Sequence, residues 1–212
     1  MRSAFPDFRR RLVAILRGIR PDEAVAAGSA LFEAGIETIE VPLNSPEPFR
    51  SIESLARALP PAALVGAGTV LTPADVERLD QAGGRLLVSP NIDTGVLGRA
   101  RAFGMVTMPG VFTATEALRA LAADASALKF FPASVLGPKG IAAVRAVLPA
   151  DTVIAAVGGI SEKDFADYAR AGVNTFGLGS SLYSPGMDVA LLRQRAAAAV
   201  DAWDAVFAGD GR

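Results

Sequence analysis

Eight short apolar runs, each bounded by glycine or proline and most followed by a stretch of helical character, punctuate this chain from end to end. They are Val13–Leu16, Thr38–Val41, Leu64–Ala67, Leu86–Ser89, Met105–Met108, Ala127–Phe131, Thr152–Val157 and Thr175–Leu178. Runs of this length and composition suit buried strands. Between them stand helix signals. Thr72 before Pro73 is an N-cap followed by proline at the first helical position, and Ser161 with Asp164 has the spacing of a capping box. Ala-Gly pairs at 34–35, 82–83 and 171–172 are C-terminal stops. Strands that alternate with helices build either an open doubly wound parallel sheet or a closed barrel. Eight units, with no Gly-x-Gly-x-x-Gly after the first run, favour the barrel. The expectation is one α/β domain over residues 1–212, a (β/α)8 TIM barrel with a short N-terminal helix capping it.

The composition narrows the chemistry. Of 212 residues, 51% are hydrophobic and 20% charged, enough apolar surface for a large core. The formal net charge of −1 offers no basic excess for a phosphate backbone, so no nucleic-acid partner is expected. There is no cysteine and no histidine. That removes disulfides, zinc thiolates, the Ser-His-Asp triad and most transition-metal sites, so no metal and no cofactor are expected. No run reaches the roughly 18 apolar residues of a membrane span, and Met1–Asp7 lacks the apolar core of a leader. A cytoplasmic protein without membrane contact is expected.

Barrel chemistry sits where strands end. At the first run stands Arg17. In the second, alternation turns Ile39, Val41 and Leu43 to one face and leaves Glu40 pointing inward, where a lone carboxylate is costly unless paired; Arg17 is one candidate partner. The third run ends in Gly66-Ala67-Gly68-Thr69, with a hydroxyl able to bind a carboxylate, and the fourth in Ser89-Pro90-Asn91. Only three lysines exist. Lys139 follows Gly137-Pro138 in an expected loop and Lys163 opens a helix, both solvated. Lys129 lies in Ala127-Leu-Lys-Phe-Phe131, where desolvation lowers an amine's pKa toward the neutral form that attacks carbonyls. It is either that nucleophile, a snorkelling lysine or the partner of Glu40. Glycines end the last two runs, at Gly158-Gly159 and Gly177-Leu-Gly179-Ser180, the usual place for a phosphate in such barrels. One apolar lysine, one inward carboxylate and a phosphate cradle describe imine chemistry on a phosphorylated oxo-compound. A phosphosugar isomerase or cyclase without an imine, and a non-catalytic phosphosugar binder, fit the same features.

In order along the chain, Ile15–Gly18, Ile39–Ser45, Val65–Val70, Ser89–Asn91, Leu128–Pro132, Ala156–Ile160 and Gly177–Ser180 resemble the 2-keto-3-deoxy-6-phosphogluconate and 6-phosphogalactonate aldolases, a Schiff-base (class I) family. The resemblance implies Lys129 as the imine lysine and Glu40 as the acid/base. It implies Arg17 and Thr69 on the pyruvate carboxylate, Pro90 and Phe131 as pocket wall, and Gly158, Gly159, Gly179 and Ser180 on the phosphate. It also implies a homotrimer without a metal. The gluconate branch carries a Thr-Arg-type segment after the glutamate and Pro-Thr before the double glycine. Pro42-Leu43-Asn44 and Ala156-Val157 are similar instead to the galactonate branch. Asn44 and Val157 are therefore expected to favour 2-dehydro-3-deoxy-6-phosphogalactonate, cleaved to pyruvate and glyceraldehyde 3-phosphate, over its C4 epimer.

Overall fold

A computed structural model describes residues 4–207, in which nine strands and eight α-helices alternate. The order is β1 Leu12–Ile15, α1 Pro21–Ala34, β2 Thr38–Pro42, α2 Pro48–Ala58, β3 Leu64–Gly68, α3 Pro73–Gln81, β4 Leu86–Val88 and α4 Thr94–Ala102. It continues with β5 Val106–Met108, β6 Gly110–Val111, α5 Ala114–Ala122, β7 Leu128–Phe130 and α6 Ala133–Arg145. After β8 Ile154–Val157 come a 3-10 turn Glu162–Asp164 and α7 Phe165–Arg170, then β9 Thr175–Leu178 and α8 Val189–Phe207. The expected helix signals act as read. Thr72 caps α3 by accepting from the Asp75 amide, Gly35 ends α1 in the left-handed region, and Ser161 and Asp164 close their box.

Every strand pairs parallel with its neighbours, in the order β5-β4-β3-β2-β1-β9-β8-β7-β6. Here β5 and β6 are halves of one strand broken at Pro109, which has no amide hydrogen to place in a ladder. The lower half pairs with β4 and the upper half with β7. Amides of the β7 side close the ring across this seam. Ala127, Lys129 and Phe131 donate to the carbonyls of Thr107, Pro109 and Val111 at 3.0, 2.9 and 3.1 Å. The Thr107 amide donates to the Ser126 hydroxyl, at 3.0 Å, and the Ser126 amide donates to Thr107 Oγ1 at 3.1 Å. This is the expected TIM barrel, with its eight strands present as nine segments.

Alternation divides the apolar residues into two cores. Ile39, Val41, Val65, Leu87, Leu128, Ile154 and Phe176 face the helices in an outer layer. Val13, Ile15, Leu64, Leu86, Val88, Val106, Met108, Ala155 and Val157 fill the interior. Two expectations fail. No helix forms over residues 4–11, while 1–3 lie outside the described residues. Phe5 takes the capping role, buried in the interior cluster with Phe8 edge-on at 6.4 Å. Arg10 in this segment is drawn to Asp204 of α8 by a two-pronged pair at 2.7 and 2.5 Å, which holds it against that helix. Lys139 also departs from its expected loop. The chain kinks at Gly137 (φ 70°, ψ 167°) and resumes as helix at once, so exposed Lys139 lies within α6.

Candidate active site

Glu40 sits midway along β2 with only 2% of its surface exposed. Its carboxylate lies directly over Gly68, where a Cβ would overlap Oε2, so the glycine that ends β3 makes the room. Gly66 serves the strand packing instead, since a Cβ there would strike the Leu86 carbonyl of the neighbouring strand. Oε2 of Glu40 has no hydrogen-bond partner. Burial raises its pKa to about 7, against the pull of the nearby Lys129 and Arg17 charges.

Lys129 enters from β7 and is 6% exposed. Desolvation lowers its pKa; the Glu40 charge opposes the shift and the Arg17 charge adds to it. Its Nζ stands 4.6 Å from the centroid of the Phe131 ring. No ion pair within 4.0 Å joins Lys129 to Glu40 among the described residues, yet each senses the other's charge. The arrangement can hold one proton between a carboxyl and an amine, each pushed by burial toward its neutral form. That is what an imine-forming site requires.

The other expected residues lie at or just beyond the strand ends. Arg17 lies two residues beyond β1. It does not form the anticipated ion pair with Glu40; its Nη1 donates to Asn44 Oδ1 at 2.6 Å. Its charge nevertheless acts on both buried groups. Thr69 follows β3 with φ 58°, a left-handed backbone that costs a threonine about 1–3 kcal/mol and is typical of functional positions. Pro90 is half-buried beyond β4, and Val157 is 3% exposed at the end of β8.

The glycines beyond β8 and β9 form the candidate anion cradle. Gly158 and Gly159 have φ of 94° and 71°. A Cβ on Gly158 would lie 3.0 Å from the Phe131 ring, and one on Gly159 would overlap the Ser134 hydroxyl. Gly179 faces open space and Ser180 is exposed. Two serines escaped the sequence reading. Ser181 donates to the Ile160 carbonyl at 2.9 Å and ties the two glycine loops together. Ser45 accepts from the Gly18 amide at 2.9 Å. Each adjoins a singled-out residue, but serines are too common for spacing alone to mark them. Beside the cradle lies a cleft of about 320 Å³ lined by Ser161, Lys163, Ser180, Ser181 and Arg195, among others.

Residues 8–200 match the family described as "KDPG and KHG aldolase". The chain belongs to this aldolase family. Among its members, the "Probable 2-dehydro-3-deoxy-6-phosphogalactonate aldolase" of Rhizobium meliloti (strain 1021) is 61% identical over 98% of both chains. The "2-dehydro-3-deoxy-6-phosphogalactonate aldolase" of Escherichia coli (strain K12) is 48% identical over 91% of this chain and 94% of its own. A solved structure described as "Native KDPGal structure" superposes with a TM-score of 0.94, at 45% identity, over 97% of this chain and 99% of that one. The family resemblance read from the motifs, its barrel and its class of carbon–carbon lyase chemistry are thus the family's own.

Proposed function

We propose that this aldolase cleaves 2-dehydro-3-deoxy-6-phosphogalactonate to pyruvate and glyceraldehyde 3-phosphate through a Schiff base on Lys129. The observation that carries the reading is the buried amine of Lys129 within electrostatic reach of the buried, unpartnered Glu40 carboxyl, in a family of aldolases. The neutral Lys129 amine adds to the C2 ketone. The carbinolamine loses water, with Glu40 passing protons, and leaves a protonated imine. Glu40 then takes the proton of the C4 hydroxyl. The C3–C4 bond breaks, its electron pair moving into the imine to give an enamine, and glyceraldehyde 3-phosphate departs. Protonation at C3 and addition of water release pyruvate and restore the amine. Arg17 and Thr69 hold the carboxylate, with Pro90 and Phe131 as walls. Gly158, Gly159, Gly179 and Ser180 bind the phosphate, whose remote binding energy orients C4 over the base. Val157 lies beside that carbon, and its apolar side chain supports the galactonate epimer.

A homotrimer in the cytoplasm belongs to the same reading, and sedimentation tests the trimer. Borohydride reduction with pyruvate, read by intact mass and peptide mapping, tests the chemistry. One pyruvate adduct on Lys129 is expected, and none in Lys129→Arg, whose guanidinium stays protonated and should leave no measurable turnover. Turnover retained in that variant would eliminate the mechanism.

A further inference from the structure

Two successive residues after β2 grip two successive residues after β1. Asn44 Oδ1 accepts from Arg17 Nη1 at 2.6 Å, and the buried Ser45 hydroxyl accepts from the Gly18 amide at 2.9 Å. The turn is confined from its other side as well. Gly18 has φ 81°, and a Cβ there would come within 2.8 Å of Pro185 in the loop before α8. Arg17 itself is exposed, and a long free side chain has many rotamers to lose. A guanidinium recognises a carboxylate well only when its fork is presented in a fixed plane. Arginine has donors and no acceptor, so the Asn44 carbonyl oxygen is the atom committed to it. An amide there, in place of a carboxylate, holds the guanidinium without neutralising it.

We propose that Asn44 and Ser45 form a latch that presents Arg17 to the carboxylate of the keto acid. Asn44 is then a positioning residue acting through Arg17, and it does not read the configuration at C4. The assignment rests on the Schiff-base aldolase reading above.

The test is a double-mutant cycle. The pyruvate concentration that half-saturates borohydride trapping, together with kcat and KM for both C4 epimers, is measured in wild type, Asn44→Ala, Arg17→Ala and the double variant. Losing a hydrogen bond to a charged group should raise the half-trapping concentration about tenfold in Asn44→Ala. The ratio of kcat/KM between epimers should not move, and in the Arg17→Ala background the asparagine change should add nothing. Ser45→Ala should shift trapping in the same direction. Asn44 is exposed, so its variant keeps the wild-type melting temperature. Additive effects of the two substitutions, or an altered epimer ratio in Asn44→Ala, would overturn the latch while leaving the imine chemistry standing. No adduct in the wild-type chain would overturn the aldolase reading and the latch's role with it.

Discussion

With its pKa near 7, Glu40 keeps a proton over a pH range in which the unfolded chain has already released it. The native state therefore binds more protons between about pH 4.3 and pH 7, and stability falls as pH rises through that window. Glu40→Gln removes the dependence. It should stabilise the chain above pH 7 by on the order of 3 kcal/mol, as each tenfold change in proton affinity is worth about 1.4 kcal/mol. Melting curves at pH 5 and pH 8 would show this as a smaller difference between the two conditions than in wild type. The same variant should lose about 10²–10⁴-fold in kcat, together with the rise in rate through pH 7 that a basic Glu40 confers. Val157→Thr belongs at this scale too. A hydroxyl beside C4 should move the kcat/KM ratio toward the gluconate epimer by about tenfold or more, whereas wild type favours the galactonate one. An unmoved ratio would relieve Val157 of that role. Lys129 and Glu40 were legible in the sequence because a charge inside an apolar strand is conspicuous. The Arg17–Asn44 contact was not, since it joins residues 27 apart whose loops meet only once the first two strands have paired.

Elements were read well where the signal is local. Thr72, Gly35 and the Ser161–Asp164 box needed only their near neighbours to be recognised. At α5 the same logic gives a measurable pH effect. Glu116 accepts from the amides of Phe112 and Thr113, both at 2.8 Å, and from the Thr113 hydroxyl at 3.0 Å. These bonds hold its pKa below the ordinary value. A depressed carboxylate stabilises the fold above its unfolded pKa, and that contribution fades as pH falls through the folded one. Glu116→Gln should therefore cost most at neutral pH and progressively less under acid, in chemical denaturation followed from pH 7 to pH 3. Lys139 was misplaced because Gly137-Pro138 reads as a loop. In the fold a single glycine with positive φ absorbs the whole turn, and proline then starts the next helical segment. The upper half of the fifth strand was missed because the apolar run ends at Met108, and the Gly110–Val111 segment beyond Pro109 is too short to carry a pattern of its own.

The whole molecule depends on long-range closures that no local pattern announces. Phe5, 7% exposed, seals the interior cluster in place of the anticipated helix. Phe5→Ala should cost about 3 kcal/mol by opening a cavity, lowering the melting temperature while kcat and KM for the remaining folded enzyme stay as they are. A loss of activity beyond the unfolded fraction would mean that the interior cluster transmits strain to Lys129. The barrel class itself was legible because eight strand–helix units leave few other ways to dispose of two sheet edges. The seam at Pro109 qualifies that closure. Thr107 gives its amide to a serine hydroxyl and Pro109 has none to give, so from Thr107 to Pro109 the ladder bonds run in a single sense, from the β7 side to the fifth strand. A ring with one such joint is a zip fastener as much as a hoop. When the barrel breathes, it should part there first, so amide deuteration would enter at Ala127 and Lys129, and the buried Lys129 would ride on the lip that opens.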